Sequence, residues 1–161
     1  MDLKRKAINK IKERGVCLND IAKLVLNLQK QYHPTLTLDE CIFALDKVLS
    51  KREVLHTILT GIAIDEAVEN KKFENTIREI INKDEGLYGI DEILALSIVN
   101  VYGSIALTNF GYLDKVKPGV IGIIDQKGKG NECHTFFDDI ICALVASSCA
   151  KIAHEKRTSL S

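Results

Sequence analysis

The chain has no tryptophan, one methionine and two prolines, Pro34 and Pro118, in 161 residues. With so few prolines, little in the sequence stops a helix from running on. An excess of charge of either sign is also missing, because 22 Lys plus Arg balance 22 Asp plus Glu. A neutral chain offers no basic stripe to hold a phosphate backbone, so nucleic acid is not an expected partner. No two of the five cysteines stand in C-x-x-C spacing. An odd set, largely inside apolar helical patterns, reads as small buried hydrophobes in a reducing, cytoplasmic compartment. A secretory h-region is absent too, since "MDLKRKAINKIKERG" is basic and amphipathic.

What is present is ordinary globular composition, 46% hydrophobic and 27% charged, in a length that suits one domain with a core. Apolar residues recur at helical spacing. Ile21, Leu24, Val25 and Leu28 form one stripe, with Asn19 placed to cap it. Cys41, Ala44, Leu45, Val48 and Leu49 form the next, opened by a Thr37–Glu40 capping box. A third helix is expected over 53–69 with Leu55, Ile58, Leu59, Ile62, Ala63 and Ala67 inward, and a short one over 73–82. Ile93 to Leu113 carries no charge and is long enough for a membrane span. Its Ser, Asn and Thr residues and a central glycine favour instead a helix over 90–109 buried on all sides of a soluble protein. "GYLDKVKPGVIG" and "DQKGKGNE" read as loops, and a last helix is expected over 135–156, with 157–161 frayed. The expectation is an all-α, single-domain multi-helix bundle over residues 1–161, with two apolar helices at its centre.

Three acid pairs interrupt the stripes: Asp65-Glu66, Asp91-Glu92 and Asp138-Asp139, each flanked by apolar residues. Burying an unpaired carboxylate costs several kcal/mol, roughly, so each pair needs a reason. Capping is one. Asp138 lies three residues after Thr135, and acids in a first turn meet the positive end of the helix dipole. Asp65-Glu66 fall in mid-helix, where a solvent face near Lys51 or Lys72 is the plain reading. The other reason is a metal. Asp91-Glu92 and Asp138-Asp139 begin the two most apolar helices, and if those ends meet, the carboxylates form a pocket for a hard divalent cation. Between them "LDKVKPG" holds Asp114 and Lys117 before a rigid turn, and a lysine so placed can pair with a phosphate. Cys133, His134 and His154 lack zinc-ligand spacing.

"YGIDEILA", "DKVKPG" and "FFDDIICAL", in this order, resemble the phosphatidylglycerophosphatase A family, in particular short, soluble relatives from Firmicutes. The resemblance spans roughly residues 86–154. It implies Mg2+-dependent removal of the terminal phosphate of phosphatidylglycerophosphate, a step in phospholipid synthesis. Carried over by motif, Asp91, Glu92, Asp138 and Asp139 would hold Mg2+, and Lys117 would meet the substrate phosphate. Asp139 or Asp114 would serve as base or nucleophile. Such an enzyme would take a phospholipid phosphate or another phosphorylated substrate. Its basic N-terminus could touch an anionic membrane surface, and its apolar content permits a homodimer. The alternatives are an all-α nucleoside-triphosphate pyrophosphohydrolase and a non-catalytic helical interaction protein in which the acid pairs are caps.

Overall fold

The computed structural model describes residues 2–159, and its regular structure there is helical throughout. Four helices occupy the first half: α1 (Leu3–Glu13), α2 (Leu18–Gln29), α3 (Leu38–Val48) and α4 (Arg52–Glu69). Five follow: α5 (Asn75–Asn82), α6 (Ile90–Val99), α7 (Ser104–Val116), α8 (Val120–Gly128) and α9 (Thr135–Ser159).

The centre is a single helix. Every residue from Cys133 to Ala150 is buried, so the first four turns of α9 have no solvent face. A helix apolar all round must be covered on every side, and α2, α3, α4, α6, α7 and α8 pack around it. Gly61 lets α4 come close, because a Cβ there would meet the Ile140 side chain. One continuous core joins both halves of the chain into one domain.

Several expectations need correction. The second central helix does not exist as drawn. Residues 90–109 form two helices, broken at Gly103, whose φ of 83° lies where glycine is the natural occupant. Their outer face is open, with Ile93 69% exposed and Leu107 52% exposed. The stretch "GYLDKV" is not a loop but the end of α7, which stops at the Pro118 turn; "DQKG" likewise ends α8. Asn19 does not cap α2, which starts at Leu18. Thr37 does cap α3, accepting from the Glu40 amide at 3.2 Å. Ala63 faces outward, whereas Asp65 faces the core. α9 stays helical through Ser159, and Leu160 and Ser161 lie outside the described residues. No helix among the described residues is long and apolar enough to cross a membrane. The basic face of α1 is partly spent on ion pairs, Lys4 with Asp46 and Lys10 with Glu66.

Candidate functional site

The start of α9 carries Asp138, in its first turn, and Asp139, just after it, each 3% exposed. The proposed Thr135–Asp138 capping box is not formed. Thr135 Oγ1 instead donates to the Ile81 carbonyl at 2.6 Å, tying α9 to the end of α5. The capping role falls to Asp65, fully buried on α4, which accepts from the Phe136 and Phe137 amides at 3.1 and 2.9 Å. The solvent-facing reading of Asp65 is therefore wrong, and only Glu66 reaches the surface, paired with Lys10.

The acidic starts of α6 and α9 do meet. Asp139 shares a side-chain hydrogen bond with Asp91, itself 6% exposed. Two carboxyls can share such a bond only if one holds a proton. Burial, reinforced by the Asp138 charge, pushes the Asp139 carboxyl far above the usual range, so the proton belongs there. Lys117, at the end of α7, bridges Asp114 and Asp138, with Nζ 3.2 Å from each. Burial pulls its ammonium down, but these two carboxylates outweigh it and hold it above its ordinary value. Glu92 is exposed; partial burial and the Asp91 charge raise its pKa.

Two further acids, outside the three pairs flanked by apolar residues, complete the arrangement. Asp84 precedes α6 and Asp125 lies on α8. One oxygen from each converges with one from Asp138, all within 4.8 Å of one another. Asp84 is exposed at its edge, but partial burial and then the neighbouring Asp91 push it up to about 6. Burial also raises Asp138, with Lys117 opposing and Asp84 adding to the rise. These three acids and Lys117 line a cleft of about 570 Å³, rimmed by Lys83 and Lys129. Asp91, Glu92, Asp114 and Asp139 do not line it. His134 does, but as a satisfied histidine. Arg14 Nη2 lies 3.3 Å from its Nδ1, so that nitrogen accepts and Nε2–H donates to Glu132 at 2.5 Å.

Backbone strain marks the same place. Three non-glycine residues among those described have positive φ, and two of them are Asp84 (51°) and Lys117 (49°). Such residues cost of order 1 kcal/mol each and cluster where side chains must be aimed. A sequence reading tuned to acid pairs between apolar residues misses Asp84, whose pair with Glu85 lies in a polar turn, and the lone Asp125. The available signals were weaker: an acid in the "NKDEG" turn just before a motif helix, and a lone acid after Ile123-Ile124.

The set of donors is chemically uniform. Three carboxylates crowd one point, and Lys117 and Lys129 are the cations seen paired with them. Hard oxygen ligands without thiolate or imidazole suit Mg2+, Mn2+ or Ca2+. The residues present therefore fit a divalent cation.

The family model described as Phosphatidylglycerophosphatase A matches residues 9–154, well beyond the span of the motifs. The chain is 51% identical to YutG of Bacillus subtilis over 96% of its own length and 93% of that protein's. It is 33% identical to MJ1330 of Methanocaldococcus jannaschii over 66% of this chain and 77% of that one. The crystal structure of the low temperature requirement C protein from Listeria monocytogenes superposes with a TM-score of 0.93 at 50% identity, covering 98% of each chain. YpjQ from Bacillus subtilis superposes with a TM-score of 0.92 at 46% identity, over 99% of this chain and 98% of that one. The chain belongs to the phosphatidylglycerophosphatase A family.

Proposed function

We propose that the protein is a Mg2+-dependent phosphoric monoester hydrolase that removes the terminal phosphate of phosphatidylglycerophosphate. The observation that carries this reading is the convergence of Asp84, Asp125 and Asp138 beside Lys117 in one cleft, in a chain of this family. Asp84, Asp125 and Asp138 would hold the cation, with Asp91 and Asp139 beside them in the same carboxyl network. Bound there, Mg2+ would polarise a phosphoryl oxygen and offset the charge of the transferring group.

The chain's own groups do the rest. An ammonium has three N–H donors, of which Asp114 and Asp138 take two from Lys117. The third is left for a phosphoryl oxygen. Asp114 is partly exposed and ion-paired, whereas Asp139 already holds a proton. Asp114 is thus the better acceptor for the proton of the attacking water, and because it stands outside the cleft lining that proton would reach it through an intervening water; the attacking oxygen bonds to phosphorus as the ester P–O bond breaks. The leaving oxygen takes a proton from the carboxyl network, where Asp139 stores one. Lys83 and Lys129 at the rim suit the second phosphate of such a lipid.

Leu87 (96% exposed), Ile90 and Ile93 flank Asp84 and Asp91 in the chain. They give a lipid substrate an apolar neighbour, which supports work at the cytoplasmic surface of a membrane. The test is phosphate release from phosphatidylglycerophosphate with Mg2+, with chelator, and in competition with nucleoside triphosphates. Release from the lipid that stops with chelator is expected. Release from triphosphates alone would assign the pyrophosphohydrolase class instead.

A further inference from the structure

Asp65 is the buried charge that the proposed chemistry does not use. It lies about one turn before the end of α4, on the inward face with Ile58 and Ile62, and none of it reaches solvent. A bare carboxylate there would be costly. Its oxygens are taken up by the N-terminus of α9. Oδ1 accepts from the Phe136 amide and from Cys133 Sγ, and Oδ2 accepts from the Phe137 amide. These amides are orphan donors of a helix start, at the positive end of its dipole. α9 is therefore capped from another helix, 71 positions away in sequence.

The two amides belong to the residues just before Asp138 and Asp139. A carboxylate that binds consecutive amides with separate oxygens fixes both the axial position and the rotation of that turn. Arg14 and Glu69 tie down the residue before it: Arg14 Nη2 donates to the Cys133 carbonyl at 2.6 Å, and Glu69 Oε1 accepts from the Cys133 amide at 2.7 Å. The chain entering α9 is thus held without Asp65, whereas the amides of the turn that aims the site acids are held by it.

We infer that Asp65 is a positioning residue, whose two-oxygen grip on the Phe136 and Phe137 amides sets the direction of Asp138 and Asp139. This rests on the proposed phosphohydrolase reading for its link to rate, though not for its geometry. The grip needs the ionised form, because a protonated carboxyl turns one acceptor into a donor. Burial pushes Asp65 up to about 7, against the pull of the two amides. The groups facing it are Arg14 at the end of α1, Cys133 before α9 and Tyr88 before α6. A pKa raised on folding means the ionised form is held at the expense of stability as pH rises past that of the unfolded carboxyl.

This sets Asp65 apart from an ordinary structural cap. Asp65→Asn keeps the shape and mimics the protonated acid. At about pH 8, where the wild-type carboxyl is ionised, the variant should melt no lower than wild type. It should still lose about tenfold or more in kcat, with KM near its original value, because misaimed groups cost rate rather than affinity. Amide exchange at Phe136 and Phe137 should quicken while the rest of α9 is unchanged. Equal kcat in variant and wild type would overturn the proposal, as would slow exchange at both amides. A melting temperature that falls together with kcat would also overturn it, by showing a merely structural cap. If wild type releases no phosphate at all, the functional reading fails, and the exchange measurement alone decides the grip.

Discussion

At the residue scale, the site is a set of acids held away from their ordinary ionisation. Asp84, Asp138 and Asp139 all have folded-state pKa values raised by burial and by neighbouring acids. The folded chain therefore holds more protons than the unfolded chain above the ordinary carboxylate pKa of about 4. Stability without metal should fall as pH rises from there through about 6, where Asp84 ionises, and beyond. Lys117 adds no slope in this window, because its raised pKa keeps it charged in both states. Mg2+ competes with these protons, so the rise in melting temperature that it causes should be larger at about pH 8 than at about pH 5.5. A larger rise on the acid side would contradict the assignment. Asp139→Asn mimics the proton-bearing form. It should leave the metal-free melting temperature at neutral pH unchanged or higher, and cut the rate by about 100-fold or more. Much of this was legible in the sequence as types of residue: Asp91, Asp138, Asp139, Asp114 and Lys117 do gather. Asp84 and Asp125 were not legible, because acids in a polar turn, or alone on a helix, look like any solvated charge until their neighbours are placed.

At the element scale, the site is made where helices begin and end. α9 contributes its first turn, α7 its last residues, α8 its middle, and Asp84 the turn before α6. The α7–α8 junction is the tightest part. A Cβ on Gly122 would stand 2.7 Å from the Lys117 carbonyl, which is backbone and cannot swing aside. Gly122→Ala should therefore shift Lys117, destabilise the fold by about 1–3 kcal/mol in a denaturant melt, and reduce activity more than an alanine at the open Gly111 does. Helical periodicity located α2, α3, α4 and α9 well, since each has a face that must be buried. It failed over residues 90–128, because glycine and proline there punctuate helices that continue as soon as the turn is made. Gly103 breaks what looked like one helix, and Pro118-Gly119 separates two where a loop was expected.

At the scale of the whole molecule, one buried helix serves as both core and platform. Its apolar middle is covered by the others, and its acidic start is left at a cleft. This also explains why the motifs lie in the second half while the family match begins at residue 9. The first half acts through buried contacts, the Asp65 grip and the Arg14–Glu69 pair, which join distant positions and leave no compact signature in sequence. The Mg2+ titration of the full chain by calorimetry, with Asp125→Asn, Asp138→Asn and Glu92→Gln beside wild type, tests the central claim most directly. The account predicts that wild type and Glu92→Gln bind Mg2+ alike, and that Asp125→Asn and Asp138→Asn lose binding. Absence of binding by wild type, or undiminished binding by both aspartate variants, would contradict it.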